Sequence, residues 1–244
     1  MSNFAAKYLI RMRKLLVLTW CCLMAAATLA QTDRELLSQW KAGQTVSAQA
    51  VENFGIDRCF AVEPVSQALL KRMSDKSYPK GCTIPVGQLR YIRVLHYRAD
   101  GTIGIGELVC HSSIAAKLKS IFRQLYEHRY PIERMTLIDN YNANDERSMT
   151  ANNTSCFCYR KIAGSTKLSK HARGLAIDIN PLYNPQASPS KRTRPKAGEP
   201  YADRSLSFPY KIEQGDLCYR LFTEAGFHWG GNWRTTKDYQ HFEY

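Results

Sequence analysis

The chain has 244 residues, of which 44% are apolar and 23% charged, with a formal net charge of +13. That length allows one well-packed domain with decoration, and the composition excludes wholesale disorder. The positive balance suits polyanions such as cell-wall polymers or anionic envelope surfaces, or is simply that of a soluble basic protein.

The stretch "MRKLLVLTWCCLMAAATLAQT" starts at Met12 with the basic pair Arg13-Lys14. An apolar run follows from Leu15 and ends in small residues near Ala30. This is the layout of a secretory signal peptide over residues 1–30, with the cut expected after Ala30 and residues 1–11 an upstream extension of the reading frame. The apolar run is short of the roughly 20 residues of a membrane span, so no stable membrane insertion is expected once the signal is removed. Trp20 stands before Cys21 where a lipid-anchored start needs a small residue. Losing Lys7, Arg11, Arg13 and Lys14 takes the charge from +13 to +13 − 4 = +9. The expected location is the periplasm, the cell envelope or the extracellular space. An exported chain seldom meets nucleic acid, so none is expected as a partner, and the chain is expected to be a monomer.

Cys21 and Cys22 leave with the signal; Cys59, Cys82, Cys110, Cys156, Cys158 and Cys218 remain. An even number in an exported chain permits disulfides, and Cys59 with Cys82, which flank one helical segment, is the expected pair. Cys156-x-Cys158 has no second Cys or His pair at zinc-finger spacing, so a structural zinc is not expected there.

Residues 31–85 read as a helical or irregular extension, in which Val65, Leu69, Leu70 and Met73 of Glu63–Ser74 have helical spacing. The main domain is placed at 86–244. There Leu89, Tyr91, Arg93, Leu95 and Tyr97 share one face of a strand, Asp100-Gly101 marks a hairpin turn, and Thr102–Cys110 returns. An amphipathic helix follows, capped by Ser112 or Ser113, with Ile114, Leu118, Ile121, Phe122 and Leu125 as its buried stripe. Arg134–Tyr141 reads as a strand. Asn142–Lys170 is a long polar segment with little periodicity, of the kind that is usually functional inside a compact domain. "LAIDIN" alternates as a strand, and the Pro-, Ser- and Lys/Arg-rich stretch from Pro181 to Arg204 reads as an exposed insertion. "GDLCYRLFTEAGF" is a helix that stops near Gly226, and "DYQHFEY" ends in a strand. Without internal repeats, this mixture indicates a single α+β domain.

A metal-dependent hydrolase needs three N/O ligands, an open fourth position and a carboxylate near the attacking water. The chain offers only six histidines. His96 and His111 read as sheet residues, and His128 as the cation that ends the amphipathic helix. His171 follows a polar loop and precedes the strand that carries Asp178, a carboxylate that is costly among isoleucines unless it is paired or binds metal. His241 lies three residues after Asp238. On spacing alone, a metal site competes with an exposed His171 and an Asp178 paired to an arginine.

"SKHARGLAID" matches the S-x-H-x-x-G-x-A-x-D signature of the zinc D-alanyl-D-alanine carboxypeptidase and dipeptidase family, which includes VanY- and VanX-like enzymes and L-alanyl-D-glutamate endopeptidases. "WGGNW" followed by "DYQHFEY" resembles the closing signature of the same family, and "SMTANNTSCFCYR" is similar to an arginine-bearing segment of one branch. The resemblance runs from about Met135 to Tyr244. It implies a hedgehog/DD-peptidase-like fold, with a small antiparallel sheet and helices packed around a zinc site.

It also implies His171, Asp178 and His241 as ligands of Zn2+ and Asp238 as general base and later acid. Arg160 would stabilise the oxyanion, with Arg147 as runner-up. Ser169 would support the loop or a substrate carboxylate, and Trp229 and Trp233 would wall the site or pack in the core. Peptidoglycan stem peptides are the implied substrate, cut by carboxypeptidase or endopeptidase action, unless the fold serves as a zinc-containing binding module. Two departures stand out: many members carry glutamate where this chain has Asp238, and His228 stands just before the Trp-Gly-Gly run.

Overall fold

A computed structural model describes residues 31–162, 165–190 and 192–244. The expected signal peptide, with Cys21 and Cys22, lies outside the described residues. Residues 31–38 are helical (α1). Strand β1, Thr45–Val46, and helix α2, Ala48–Phe54, follow. Asp33 ties them together, since its Oδ2 accepts from the Ser47 amide and hydroxyl at 2.9 and 2.6 Å. The Ser47 hydroxyl in turn accepts from the Ala50 amide and caps α2. Strand β2, Ala61–Pro64, and helix α3, Gln67–Met73, come next, the helix capped by Ser66.

The long hairpin reads from the sequence as it folds, with β3 at Leu89–Tyr97 and β4 at Ile103–His111. Helix α4, Ser112–Glu127, buries the predicted stripe Ile114, Leu118, Ile121, Phe122 and Leu125. Its cap differs from the prediction: His111, the last residue of β4, accepts from the Ser113 amide through Nδ1, because the strand runs into the helix with no loop between.

The first sheet is antiparallel in the order β1-β4-β3-β2. Residues 31–85, expected as an extension, thus supply both of its edge strands. They also place Leu37, Val51, Cys59 and Phe60 in the main core, and Trp40 donates its indole N–H to the Gly106 carbonyl at 2.9 Å. The buried Glu107 takes a two-pronged bond from Arg72 and a third from the Tyr91 hydroxyl, which clamps α3 to β4.

The expected strand at Arg134–Tyr141 is absent. Arg134 makes a single bridge to Asn153, after which Asn153 bonds Thr136 through its side chain, and Ile138–Tyr141 turn as a 3-10 helix. A side-chain amide has replaced the neighbouring strand. The long polar segment also contains an element that periodicity missed, helix α5, Asp145–Thr150, capped by Asn144.

Two small antiparallel sheets complete the fold. β5 is Ala176–Asp178, β6 Gln186–Ala187 and β7 Thr193–Arg194. Helix α6 is Leu217–Glu224, followed by β8 at His228–Trp229, β9 at Lys237–Asp238 and β10 at His241–Glu243. The sheet orders are β5-β10-β8 and β7-β6-β9. The stretch 181–204, read as an exposed insertion, is therefore a built part of the domain: β6 pairs with β9, and Asn184 is fully buried. The Cys59–Cys82 pair is not formed; all six described cysteines are free, and Cys59 packs in the main core while Cys82 packs against a second cluster. The architecture is α+β. No helix among the described residues is long and apolar enough to cross a membrane.

His96 and Gly104 face each other across β3 and β4, and a methyl group on Gly104 would lie 2.4 Å from His96 Nε2. Gly104→Ala is expected to destabilise the fold by about 1–3 kcal/mol in urea unfolding, the usual cost of overpacking. Adding His96→Ala should recover part of the loss. An unchanged midpoint in the single variant would show that the ring has another place to go.

Candidate metal centre and active site

The centre is assembled by two strands and a turn. Along β10 the side chains alternate, so Phe242 points into the core while His241 and Glu243 share the other face. Phe242 is fully buried and stacks on Phe222 with ring centroids 4.4 Å apart. On β5, Ile177 enters the same core, as does Ile179 just beyond it. Asp178 is thereby left on the cleft side, directly opposite His241 in the antiparallel register.

His171 comes from the short 3-10 turn His171–Arg173. Ser169 supports that turn by accepting from the Ala172 amide at 3.0 Å. Gly174 ends it with φ of +67°, and a methyl group there would meet the His111 backbone nitrogen at 2.6 Å, so only glycine fits.

The three donor atoms converge. His171 Nε2 lies 3.2 Å from His241 Nδ1 and 3.3 Å from Asp178 Oδ2, and His241 Nδ1 lies 3.1 Å from Asp178 Oδ1. A tetrahedral ion with ligand bonds of roughly 2.0–2.1 Å needs edges of about 3.3–3.4 Å. The two histidine nitrogens meet that spacing, and each approaches a different oxygen of Asp178; with one ligand atom from each residue all within 4.8 Å of one another, the three residues could hold a metal ion.

The outer ring nitrogens are engaged as well. His171 Nδ1 donates to the Cys156 carbonyl at 2.7 Å, which leaves Nε2 as the nitrogen with the lone pair. His241 Nε2 lies 3.2 Å from Glu243 Oε2. Such outer partners orient metal-binding imidazoles and raise their basicity.

The local field favours a cation. Burial works to raise Asp178, but the two histidines outweigh it and hold its carboxyl well below the usual carboxylate range. Burial works against charge on His241 too, yet bonds to Asp178 and Glu243 push its pKa up to about 10.

Asp238 sits on β9 opposite Gln186 of β6, whose side-chain amide donates to Oδ2 at 2.8 Å. Its other oxygen, Oδ1, is buried with no hydrogen-bond partner among the described residues. Burial pushes this carboxyl up to about 6; Asp178 adds to the shift and His241 opposes it.

The cleft above these groups has a volume of about 290 Å³, and Arg160, Ser169, Trp233, Asp238 and the three donor residues line it. Arg160 is held by Asp145, with Nε to Oδ2 at 2.6 Å. Trp233 stands with its ring 5.4 Å from that of His241.

The remaining candidates lie elsewhere. Arg147 is exposed on α5 and does not line the cleft. Trp229 is a core residue that packs on Phe242 and donates its indole N–H to the Tyr239 carbonyl. His228 is exposed. Burial pushes the Cys156 thiol well up and that of Cys158 to about 12, so neither offers a thiolate.

Sequence reading missed Gln186, Arg194, Gln240 and Glu243, which also line the cleft. Glu243 could have been found, being two residues after His241 in a strand. Gln186 and Arg194 lie within a stretch that looked like polar decoration.

The model of the family described as D-alanyl-D-alanine carboxypeptidase matches residues 163–244. The resemblance to the zinc D-alanyl-D-alanine carboxypeptidase family is therefore shown for the part of the chain that holds Ser169, His171, Asp178, Asp238 and His241. Arg147 and Arg160 lie ahead of the match. No curated protein and no solved structure matches the chain.

Two outcomes follow from this geometry. Asp238 loses its proton near pH 3.8 when unfolded but only near 6 when folded, so its burial lowers stability as pH rises through that window and keeps it lowered above. Metal-free Asp238→Asn protein should be more stable than the parent at pH 7.5 by roughly 1–3 kcal/mol, with the difference gone below about pH 4. An equal difference at both pH values would mark a packing effect instead. Trp229→Ala should lower stability by about 3–5 kcal/mol, whereas Trp233→Ala should change it by less than about 1 kcal/mol, both read from denaturant unfolding.

Proposed function

We propose that the protein is a zinc-dependent peptidase that hydrolyses peptide bonds in peptidoglycan stem peptides, with D-alanyl-D-alanine carboxypeptidase-like chemistry on a hedgehog/DD-peptidase-like fold. The observation that carries this reading is the convergence of two imidazole nitrogens and the Asp178 carboxylate, one ligand atom of each within 4.8 Å of the others, beside a buried oxygen of Asp238 that has no hydrogen-bond partner among the described residues. Two imidazole nitrogens and one carboxylate oxygen suit zinc and leave a fourth position toward the cleft. When bound, zinc supplies Lewis acidity, lowering the pKa of a water toward 7 and polarising the scissile carbonyl.

The chain supplies the proton chemistry. Asp238 Oδ1 takes the proton from the attacking water and passes it to the leaving amine. A carboxyl pushed up to about 6 is a better base near neutral pH than an ordinary one. Gln186 fixes Oδ2 and so orients the free oxygen. Asp145 holds Arg160 at the cleft wall by an ion pair, and the guanidinium there would meet the oxyanion. Trp233 walls the cleft beside His241. The substrate class, an exported location, action as a monomer and the lack of a nucleic-acid partner belong to the same reading, and the net positive charge helps approach to the wall.

Chelator-treated protein should lose hydrolysis of purified muropeptides, followed by mass spectrometry, and regain it with zinc. His171→Ala should abolish both zinc uptake and hydrolysis. Asp238→Ala should retain zinc and lose activity by about 10²–10⁴-fold. Persistent hydrolysis in His171→Ala would overturn the site. Bound zinc with no cleavage of any stem peptide would assign the chain to a non-catalytic wall-binding role.

A further inference from the structure

Asp238 is one of two residues that line the cleft with a buried acceptor oxygen lacking a hydrogen-bond partner among the described residues. The other is Gln240, two residues further along the turn between β9 and β10 and one residue before His241. Gln240 is 2% exposed, and its orphaned atom is Oε1. A buried polar atom without a partner opposes folding, so one in a cleft points to a ligand that brings a donor.

The rest of Gln240 is fixed. Its backbone carbonyl accepts from the Ile179 amide at 2.9 Å, just beyond Asp178. Its Nε2 donates to the Arg194 carbonyl at 3.3 Å. Arg194 lines both the cleft and a groove of about 510 Å³ along the β6–β7 hairpin, so this bond anchors the amide to the cleft wall. It also settles which end of the amide is oxygen: a flipped Gln240 would set one acceptor against another. The Gln240 amide bears on Asp238 as well, where with that of Gln186 it favours the carboxylate against the upward push of burial. Two neighbouring side chains thus each hold an unpaired oxygen. Most other acceptors of the cleft are engaged. Asp145 holds Arg160, Glu243 meets His241, Ser169 accepts from the Ala172 amide, and Asp178 lies against both imidazoles.

Peptide hydrolysis contains one group that needs two adjacent acceptors. The oxygen of water bonds to the carbonyl carbon as its proton goes to Asp238 Oδ1. The C–N bond then breaks with its electron pair on nitrogen, which takes that proton from Asp238. The departing nitrogen carries two hydrogens, one from Asp238 and one that it held as an amide. Asp238 meets the first, and the second needs an acceptor beside it. As nitrogen gains the proton its N–H becomes a stronger donor, so a bond to this hydrogen strengthens toward the transition state. Only interactions of that kind accelerate the chemical step.

We propose that Gln240 is a catalytic residue whose Oε1 accepts the N–H of the scissile amide and holds the nitrogen beside Asp238 as it leaves. This rests on the peptidase reading above.

The test offers the zinc-loaded full chain two forms of one synthetic stem peptide. One is the ordinary amide. The other is an ester in which oxygen replaces the N–H of the bond that mass spectrometry shows to be cut. Both need a water activated by Asp238, but only the amide has a hydrogen for Gln240. Single-turnover rates are measured for the parent and for Gln240→Met, which keeps the length of the side chain and removes the acceptor. The ratio of amide to ester rate in one preparation does not depend on how much of it is folded. Gln240→Met is expected to lower the amide rate about 10–100-fold and the ester rate by less than about threefold.

Equal losses on the two substrates would overturn the proposal, since they would mark a role in holding Asp238 or the attacking water. An amide rate that survives the substitution would overturn it too. In both cases cleavage by the parent leaves the peptidase reading standing. A zinc-loaded parent that cuts neither substrate sinks that reading, and the assignment of Gln240 with it.

Discussion

The antiparallel register between β5 and β10 is the constraint on which the site depends. It sets Asp178 against His241 on the cleft face and Ile177 against Phe242 on the core face. Because side chains alternate with period two, a slip of one residue would bury both polar groups and expose both apolar ones. Phe242, packed between Phe222 and Trp229, resists that slip. The apolar core beneath therefore holds two donor atoms about as far apart as an ion needs, and β10, paired on both sides, has little freedom to shift.

The third donor comes at a different physical cost. His171 sits on a turn that needs a serine to satisfy its backbone and a glycine to end it against the β4–α4 junction. The first sheet matters to the centre for that reason: the His111 amide, at the start of α4, donates to the Gly174 carbonyl at 2.9 Å. The N-terminal segment supports the same sheet through its edge strands and the Arg72–Glu107 clamp. The hairpin that carries no donor is in this way connected to the one donor that lies outside a strand.

Electrostatically the centre gathers Asp178, Asp238 and Glu243 around two imidazoles. Unpaired buried carboxylates oppose folding, and Asp238 is the clearest case, with one oxygen held by Gln186 and the other without a hydrogen-bond partner among the described residues. The same buried charge that weakens the fold attracts a cation and makes a base of useful strength. The β6–β7 hairpin contributes to both sides of this balance, through Gln186 at the base and through cations along the adjoining groove.

Local sequence determined what depends on short-range periodicity and on ordered motifs. The β3–β4 hairpin, the apolar stripe of α4, helix α6 and the alternation of "LAIDIN" are all readable because their side-chain spacing matches one backbone geometry. His171, Asp178, Asp238 and His241 were readable as two separated signatures. Tertiary structure decided what depends on partners distant in the chain. It made Trp229 a core residue and Trp233 a cleft residue, though they sit four apart in one motif. It put α5 in a polar stretch, replaced a strand at Arg134–Tyr141 by a bridge to Asn153, and left Cys59 and Cys82 in separate clusters. It also brought Gln186 to Asp238 across 52 residues, because β6 and β9 pair edge to edge and no local pattern encodes a partner that far away.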